Sequence, residues 1–82
     1  SELEQTWDEE WQRNLMDATI ANVKRQVDPK QFQIFNFYVL KEWSVSDVTR
    51  TLGVNATQVY LAKHRISRMI EKELRKLERT MI

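Results

Sequence analysis

Apolar side chains recur at steps of three and four residues along most of the chain, which is the pattern of amphipathic helices. Residues 6–26 form the first such stretch, with Thr6 as the predicted N-cap and acidic residues in the first turn, where the helix dipole favours negative charge. Its apolar positions are Trp7, Trp11, Leu15, Met16, Ala18, Ile20, Val23 and Val27. We expect Trp7 and Trp11 to be core residues rather than a docking surface, and residues 1–5 to be frayed.

A second helix is predicted to begin at Asp28 and Pro29. Asp28 is a suitable N-cap, and Pro29 fits the first helical position because no amide hydrogen is needed there. The residues that follow are apolar on almost every side of the helix: Phe32, Ile34, Phe35, Phe37, Tyr38, Val39, Leu40 and Trp43. A helix of this kind is expected to lie at the centre of the domain.

Short local signals place two more helices. Ser44 and Asp47 resemble a capping box, which predicts a third helix over residues 45–52. Gly53 is the only glycine of the chain, and it ends this helix because glycine adopts the left-handed conformation without steric cost. Asn55 and Gln58 form a second capping box, which predicts a fourth helix over residues 56–79.

Together these elements predict an all-α domain over residues 6–82, with four helices and a helix-turn-helix at residues 45–68. The core would resemble the three-helix cores of homeodomain and winged-helix proteins, without a wing. In such folds the helix after the turn enters the major groove of DNA. We therefore interpret the long last helix as a recognition helix.

The predicted fourth helix has two chemically different faces. At about 100° per residue, one face is apolar and contains Val59, Ala62, Ile66, Met69, Ile70 and Leu77. The opposite face carries Thr57, Leu61, His64 and Arg68, with Tyr60 and Arg65 on its flanks. Arginine pairs with guanine and glutamine with adenine, which makes Gln58 and Arg65 candidate base contacts, and Leu61 and Thr57 suit thymine methyl groups. Farther along, the expected phosphate contacts are Arg68, Lys72 and Arg75.

Charge is divided unevenly along the chain, although the net charge is only +1. Residues 1–27 carry six acidic and three basic side chains, whereas residues 55–82 carry seven basic and three acidic ones. This basic C-terminal third suggests a polyanionic partner. On charge alone, however, a solvated helix of mixed charge is the favoured interpretation.

Several function classes find no support in the sequence. The chain has no cysteine, which fits a reducing cytoplasm and excludes disulfides and thiolate metal sites. His64 is the only histidine, so we interpret it as a surface residue or a base contact rather than a ligand or a proton shuttle. We expect no cofactor, no small-molecule substrate, no membrane span and no enzymatic activity.

The stretch "VDPKQFQIFNFYVLKEWSVSDVTRTLGVNATQVYLAKHR" begins at residue 27. Residues 27–79 resemble region four, the C-terminal DNA-binding region, of bacterial RNA polymerase sigma factors of the extracytoplasmic-function group. The positions that carry the resemblance are Pro29, Lys30-Gln31, Trp43-Ser44, Val48-Thr49, Leu52-Gly53-Val54-Asn55 and Val59. Family members usually have glycine in place of Glu42, an apolar residue in place of Lys63, and often basic residues in place of Tyr60 and Ala62.

The resemblance implies a module of transcription initiation. In that family this region binds the upstream (minus thirty-five) element of double-stranded promoter DNA and contacts the beta flap of RNA polymerase. An inhibitory anti-sigma factor is a further partner that it implies. Carried over by position, recognition falls on Tyr60, Leu61, His64 and Arg65, surrounded by Thr57, Gln58, Lys63 and Arg68.

Two other functions compete with this interpretation. The first is the DNA-binding output domain of another helix-turn-helix regulator, such as a response regulator, in which a dimerising helix would follow the recognition helix. The second is a protein-docking module that uses the acidic first helix to meet polymerase or an anti-sigma partner.

Overall fold

The computed structural model describes residues 2–80, with side chains for residues 5–80. Every regular element in this range is helical, which confirms the all-α prediction. The order along the chain is α1 (Glu2–Lys24), α2 (Pro29–Phe35), a π-helical segment (Asn36–Leu40), α3 (Val45–Leu52) and α4 (Ala56–Thr80).

Helix α1 begins earlier than the sequence predicts. It starts at Glu2 and ends at Lys24 instead of spanning residues 6–26, so Thr6 lies inside the helix and does not cap it. Residues 2–5, which we expected to be frayed, belong to this helix, and Ser1 lies outside the described residues. The buried hydroxyl of Thr19 donates a hydrogen bond to the carbonyl of Leu15 at 2.7 Å, which satisfies it within the helix.

The prediction that Trp7 and Trp11 belong to the core was wrong, because their exposed fractions are 73% and 39%. The cause is not the side of the helix on which they lie, because every residue from 5 to 14 is exposed. Gln5 and Gln12 lie within about 20° of Val23 around the helix axis and are exposed as well. The buried part of α1 begins only at Leu15.

Helix α2 starts as predicted, with Pro29 at its first position. The carboxylate of Asp28 accepts hydrogen bonds from the backbone N–H groups of Lys30 and Gln31, at 3.1 and 3.3 Å. The helix then widens, and the N–H of Lys41 donates to the carbonyl of Asn36, five residues back. The apolar run therefore does not continue as one regular α-helix. Single π-helical turns of this kind often occur at functional sites.

A left-handed residue closes the π-helical segment. Glu42 has φ +57°, the one positive φ at a non-glycine position among the described residues. Members of the sigma-factor family that the sequence resembles usually carry glycine at this position. The left-handed backbone explains that preference, because glycine adopts it without steric cost. Phe37 and Trp43 stack on either side of this turn, with ring centroids 4.4 Å apart.

The local signals around α3 and α4 are confirmed. Ser44 Oγ accepts a hydrogen bond from the N–H of Asp47 at 3.0 Å, and α3 spans Val45–Leu52 as predicted. Gly53 is left-handed, with φ +66°. Asn55 and Gln58 form the reciprocal capping box, each backbone N–H donating to the other's side-chain oxygen, at 2.9 and 2.8 Å.

Two hydrophobic clusters form the core, and both include residues of α2 and α4. The first contains Ile34, Val48, Val54, Val59 and Ala62. The second contains Val23, Phe32, Phe35 and Ile66. Because α4 packs against α1, α2 and α3 through one face, its opposite face is left for solvent.

Candidate nucleic-acid interface

The candidate interface is the solvent-facing side of the N-terminal half of α4. Val59, Ala62 and Ile66 are 0%, 3% and 0% exposed, so the inner side of this half is fully anchored in the core. Side chains at steps of four and three residues on the other side must then point outward. This outward stripe consists of Thr57, Leu61, His64 and Arg68, all of which are exposed.

All eight residues that the sequence singles out as DNA contacts lie at the surface. The structure brings them together on the first half of α4: Thr57, Gln58, Tyr60, Leu61, Lys63, His64, Arg65 and Arg68. Leu61 is the least expected of them, since a leucine that is 57% exposed has an apolar side chain in water at the centre of the surface. The eight residues differ, however, in what their functional groups already contact.

Tyr60 and Lys63 lie on one side of the stripe, and both contact Tyr38 of the π-helical segment. The rings of Tyr38 and Tyr60 meet edge to face, with centroids 6.1 Å apart. Lys63 Nζ lies 5.7 Å from the centre of the Tyr38 ring, a cation–π arrangement that draws the ammonium toward the domain. Lys63 is therefore better placed to brace this flank than to reach a base edge.

Arg65 flanks the stripe on the other side and contacts the first turn of α2. Its Nη1 donates a hydrogen bond to Oε1 of Gln31 at 3.3 Å. Gln31 was not among the predicted site residues, although its position in the Lys30-Gln31 pair was one of those that carried the resemblance. Because a guanidinium has five N–H donors, most of Arg65's donors remain available while Gln31 fixes its direction.

Gln58 has a local role that competes with base reading. Its side-chain oxygen accepts the hydrogen bond from the N–H of Asn55, as part of the capping box. A bidentate contact to adenine requires both the oxygen and the amide nitrogen of a glutamine. In this conformation Gln58 offers only its amide N–H groups to a ligand, and its first function is to cap α4.

Basic side chains continue beyond the outward stripe. Arg68, Lys72 and Arg75 are all exposed, and Arg75 has only a long contact to Glu71, 3.9 Å between nitrogen and oxygen, in a pair that is about two-thirds exposed. Such a pair contributes about 0–1 kcal/mol and does not hold the arginine in place. These exposed cations are therefore available to an anionic ligand.

A metal site and a membrane span are both absent from the described part of the chain. Residues 5–80 contain no group of three histidine, aspartate or glutamate side chains positioned to hold a metal ion. In the same range, every helix is too short or too polar to cross a membrane.

The chain matches no protein-family model, no curated protein and no solved structure. What the chain does must therefore be inferred from the motifs of residues 27–65 and from the geometry of α3, Gly53 and α4.

Proposed function

We propose that this domain binds double-stranded DNA in a sequence-specific manner, with α3, the turn at Gly53 and α4 acting as a helix-turn-helix. The observation that carries the proposal is the outward stripe of α4, which begins directly after the left-handed turn and is backed by fully buried Val59 and Ile66. A recognition helix needs this combination, because it must project into the groove without loosening from its own core.

The proposed contacts divide by chemistry. Thr57 and Leu61 meet thymine methyl groups, while His64 and Arg65 hydrogen-bond to base edges. Arg68, Lys72 and Arg75 meet phosphates, which contribute affinity but little sequence information. From Thr57 to Arg68 the helix rises roughly 16 Å, about the length of five base pairs.

By its resemblance, the module belongs to a sigma factor and acts in transcription initiation in the bacterial cytoplasm. The upstream (minus thirty-five) promoter element is then the DNA target, and the beta flap of RNA polymerase and an anti-sigma factor are protein partners. The module positions proteins on DNA and catalyses no reaction. A protein-docking role for α1 is a second candidate, which the exposure of Trp7 and Trp11 favours.

The test begins with selection of bound duplexes from a random library, because the target sequence must be found before specificity can be measured. Binding of the selected duplex and of a scrambled one is then followed by fluorescence anisotropy at several salt concentrations. We expect the selected duplex to bind at least about a thousandfold more tightly, and log affinity to fall steeply with log salt. Absence of a consensus, or equal binding of the two duplexes, would contradict the proposal.

Two arginine variants separate base contacts from phosphate contacts. Arg65→Ala is expected to lose about 1–3 kcal/mol on the selected duplex and to relax the preference for one base. Arg68→Ala should weaken all duplexes alike and reduce the salt slope by about one. Arg13→Ala, an exposed arginine on α1, is the matched control. Identical profiles for Arg65→Ala and Arg68→Ala would overturn these assignments.

A further inference from the structure

The N-terminal part of α1 is a helical arm that the rest of the chain does not cover. Every residue from 5 to 14 is exposed, including two tryptophans. We call residues 5–14 the tryptophan arm. Helical segments of this length are marginal in water without tertiary contacts, and large exposed aromatic side chains are typical of interaction surfaces.

The same chain carries a groove on the C-terminal half of α4 whose charge is opposite to that of the tryptophan arm. Met69 of α4 contributes a half-buried apolar side chain to its lining. Its cationic lining is formed by Lys72, Arg75, Lys76 and Arg79. The acidic residue in the groove, Glu73, accepts a hydrogen bond from Asn22 at 3.2 Å, which directs its carboxylate toward α1. We call this feature the basic groove.

The arm and the groove match in both charge and side-chain type. Asp8, Glu9 and Glu10 surround Trp7 in sequence, and carboxylates pair with the lysines and arginines of the groove. An indole ring is the best aromatic partner for a cation and packs well against the aliphatic stems of arginine and lysine. Contact between two arms would instead bring the acidic residues of both copies together, which is unfavourable.

Within one copy this complementarity is not used. Among residues 5–80, the ion pairs join Arg50 to Asp47 and Arg75 to Glu71, and none joins the arm to the groove. We propose that, in the absence of DNA, two copies of the chain associate by placing the tryptophan arm of each in the basic groove of the other, where Lys72 and Arg75 cannot contact phosphates at the same time. The four indoles and the groove surfaces that they cover bury on the order of 1,000 Å², which corresponds to a weak, reversible dimer.

The test is sedimentation velocity of the full chain without DNA, over a range of protein and salt concentrations. We expect a monomer–dimer equilibrium that shifts toward monomer as salt rises, since charge pairs at a partly exposed interface are screened. The arm variant Trp7→Ala/Trp11→Ala and the groove variant Lys72→Glu/Lys76→Glu should each weaken dimerisation by more than about tenfold. Lys30→Glu, an exposed charge reversal outside the groove, is the control.

Mixing the two variants distinguishes reciprocal exchange from other dimers. The arm variant keeps an intact groove and the groove variant keeps an intact arm, so the mixture should form a heterodimer with one junction. This heterodimer should be weaker than the wild-type dimer but stronger than the association of either variant alone. Circular dichroism confirms that both variants remain helical. Wild-type protein that stays monomeric at all concentrations would overturn the proposal, and so would a groove variant that dimerises as well as wild type.

Discussion

Helices α1 and α4 are similar in length, with 23 and 25 residues, yet one is anchored along much of its length and the other leaves a long part in solvent. In α4 the apolar positions alternate between steps of three and four, from Val59 through Ala62 and Ile66 to Met69, and they remain on one side. In α1 the buried side chains are Leu15, Thr19 and Val23, and every residue from 5 to 14 is exposed, whichever side of the helix it occupies. The length over which other elements pack against a helix decides which part of it is buried.

The two helices also differ in how they begin. A left-handed glycine and a reciprocal capping box fix the start of α4. Thr6, the predicted cap of α1, lies within the helix instead. As a result, α4 has a defined direction relative to the core from its first turn, which is what a surface that reads DNA requires.

The largest expected difference between the helices is in the cost of truncating an apolar side chain. Ile66→Ala removes a fully buried side chain of α4 and should lower the free energy of unfolding by about 2–5 kcal/mol. Trp7→Ala removes a larger side chain from the exposed arm of α1 and should change it by no more than about 0.5 kcal/mol. Urea unfolding followed by circular dichroism measures both, at low protein concentration so that association does not contribute.

An equal loss of stability in the two variants would break the comparison. It would mean that Trp7 is covered in the monomer and that residues 5–14 are not an uncovered arm. Met16→Ala serves as a second exposed control, because Met16 lies on α1 at an exposed fraction of 37%.

A smaller effect is expected at the two left-handed residues. A Cβ added to Gly53 meets nothing within 4 Å, so Gly53→Ala should cost only the backbone strain, about 1–2 kcal/mol. Glu42 has a side chain at φ +57°, and Glu42→Gly should raise the free energy of unfolding by about 0.5–1 kcal/mol as the relief of strain outweighs the added chain entropy. Thermal unfolding of both variants tests this, and changes of the same sign would contradict it.

The parts of the fold that could be predicted are those encoded by neighbouring residues. The caps at Asp28, Ser44 and Asn55 and the turn at Gly53 each depend on three or four adjacent positions, and all four are confirmed. The exposure of Trp7 and Trp11 could not be predicted in this way, because it depends on how far other elements pack along α1 and not on neighbouring residues.

The contacts that position Tyr60, Lys63 and Arg65 at the candidate interface could not be predicted from neighbouring residues. Tyr38 meets Tyr60 and Lys63 from within the π-helical segment, which the apolar pattern of the sequence does not predict. Gln31 meets Arg65 across 34 positions of sequence, and no local pattern specifies such a pair. The outward stripe itself followed from helical periodicity, whereas the groups that orient its flanks depend on the packing of α2 against α4.

The smallest effect expected is at the helix starts. Asn55→Ala removes the side-chain oxygen that accepts from the N–H of Gln58, and should lower the free energy of unfolding by about 1 kcal/mol. Gln5→Ala, at an exposed position in the first turns of α1, should change it by less than about 0.5 kcal/mol, because both residues are good helix formers. Hydrogen exchange adds a second measurement, since loss of the cap should speed exchange of the first-turn amides of α4 and leave those around Ile66 protected. If Gln5→Ala destabilises the protein as much as Asn55→Ala, the start of α1 is as firmly specified as that of α4, and the contrast between the two helices is confined to the extent of their burial.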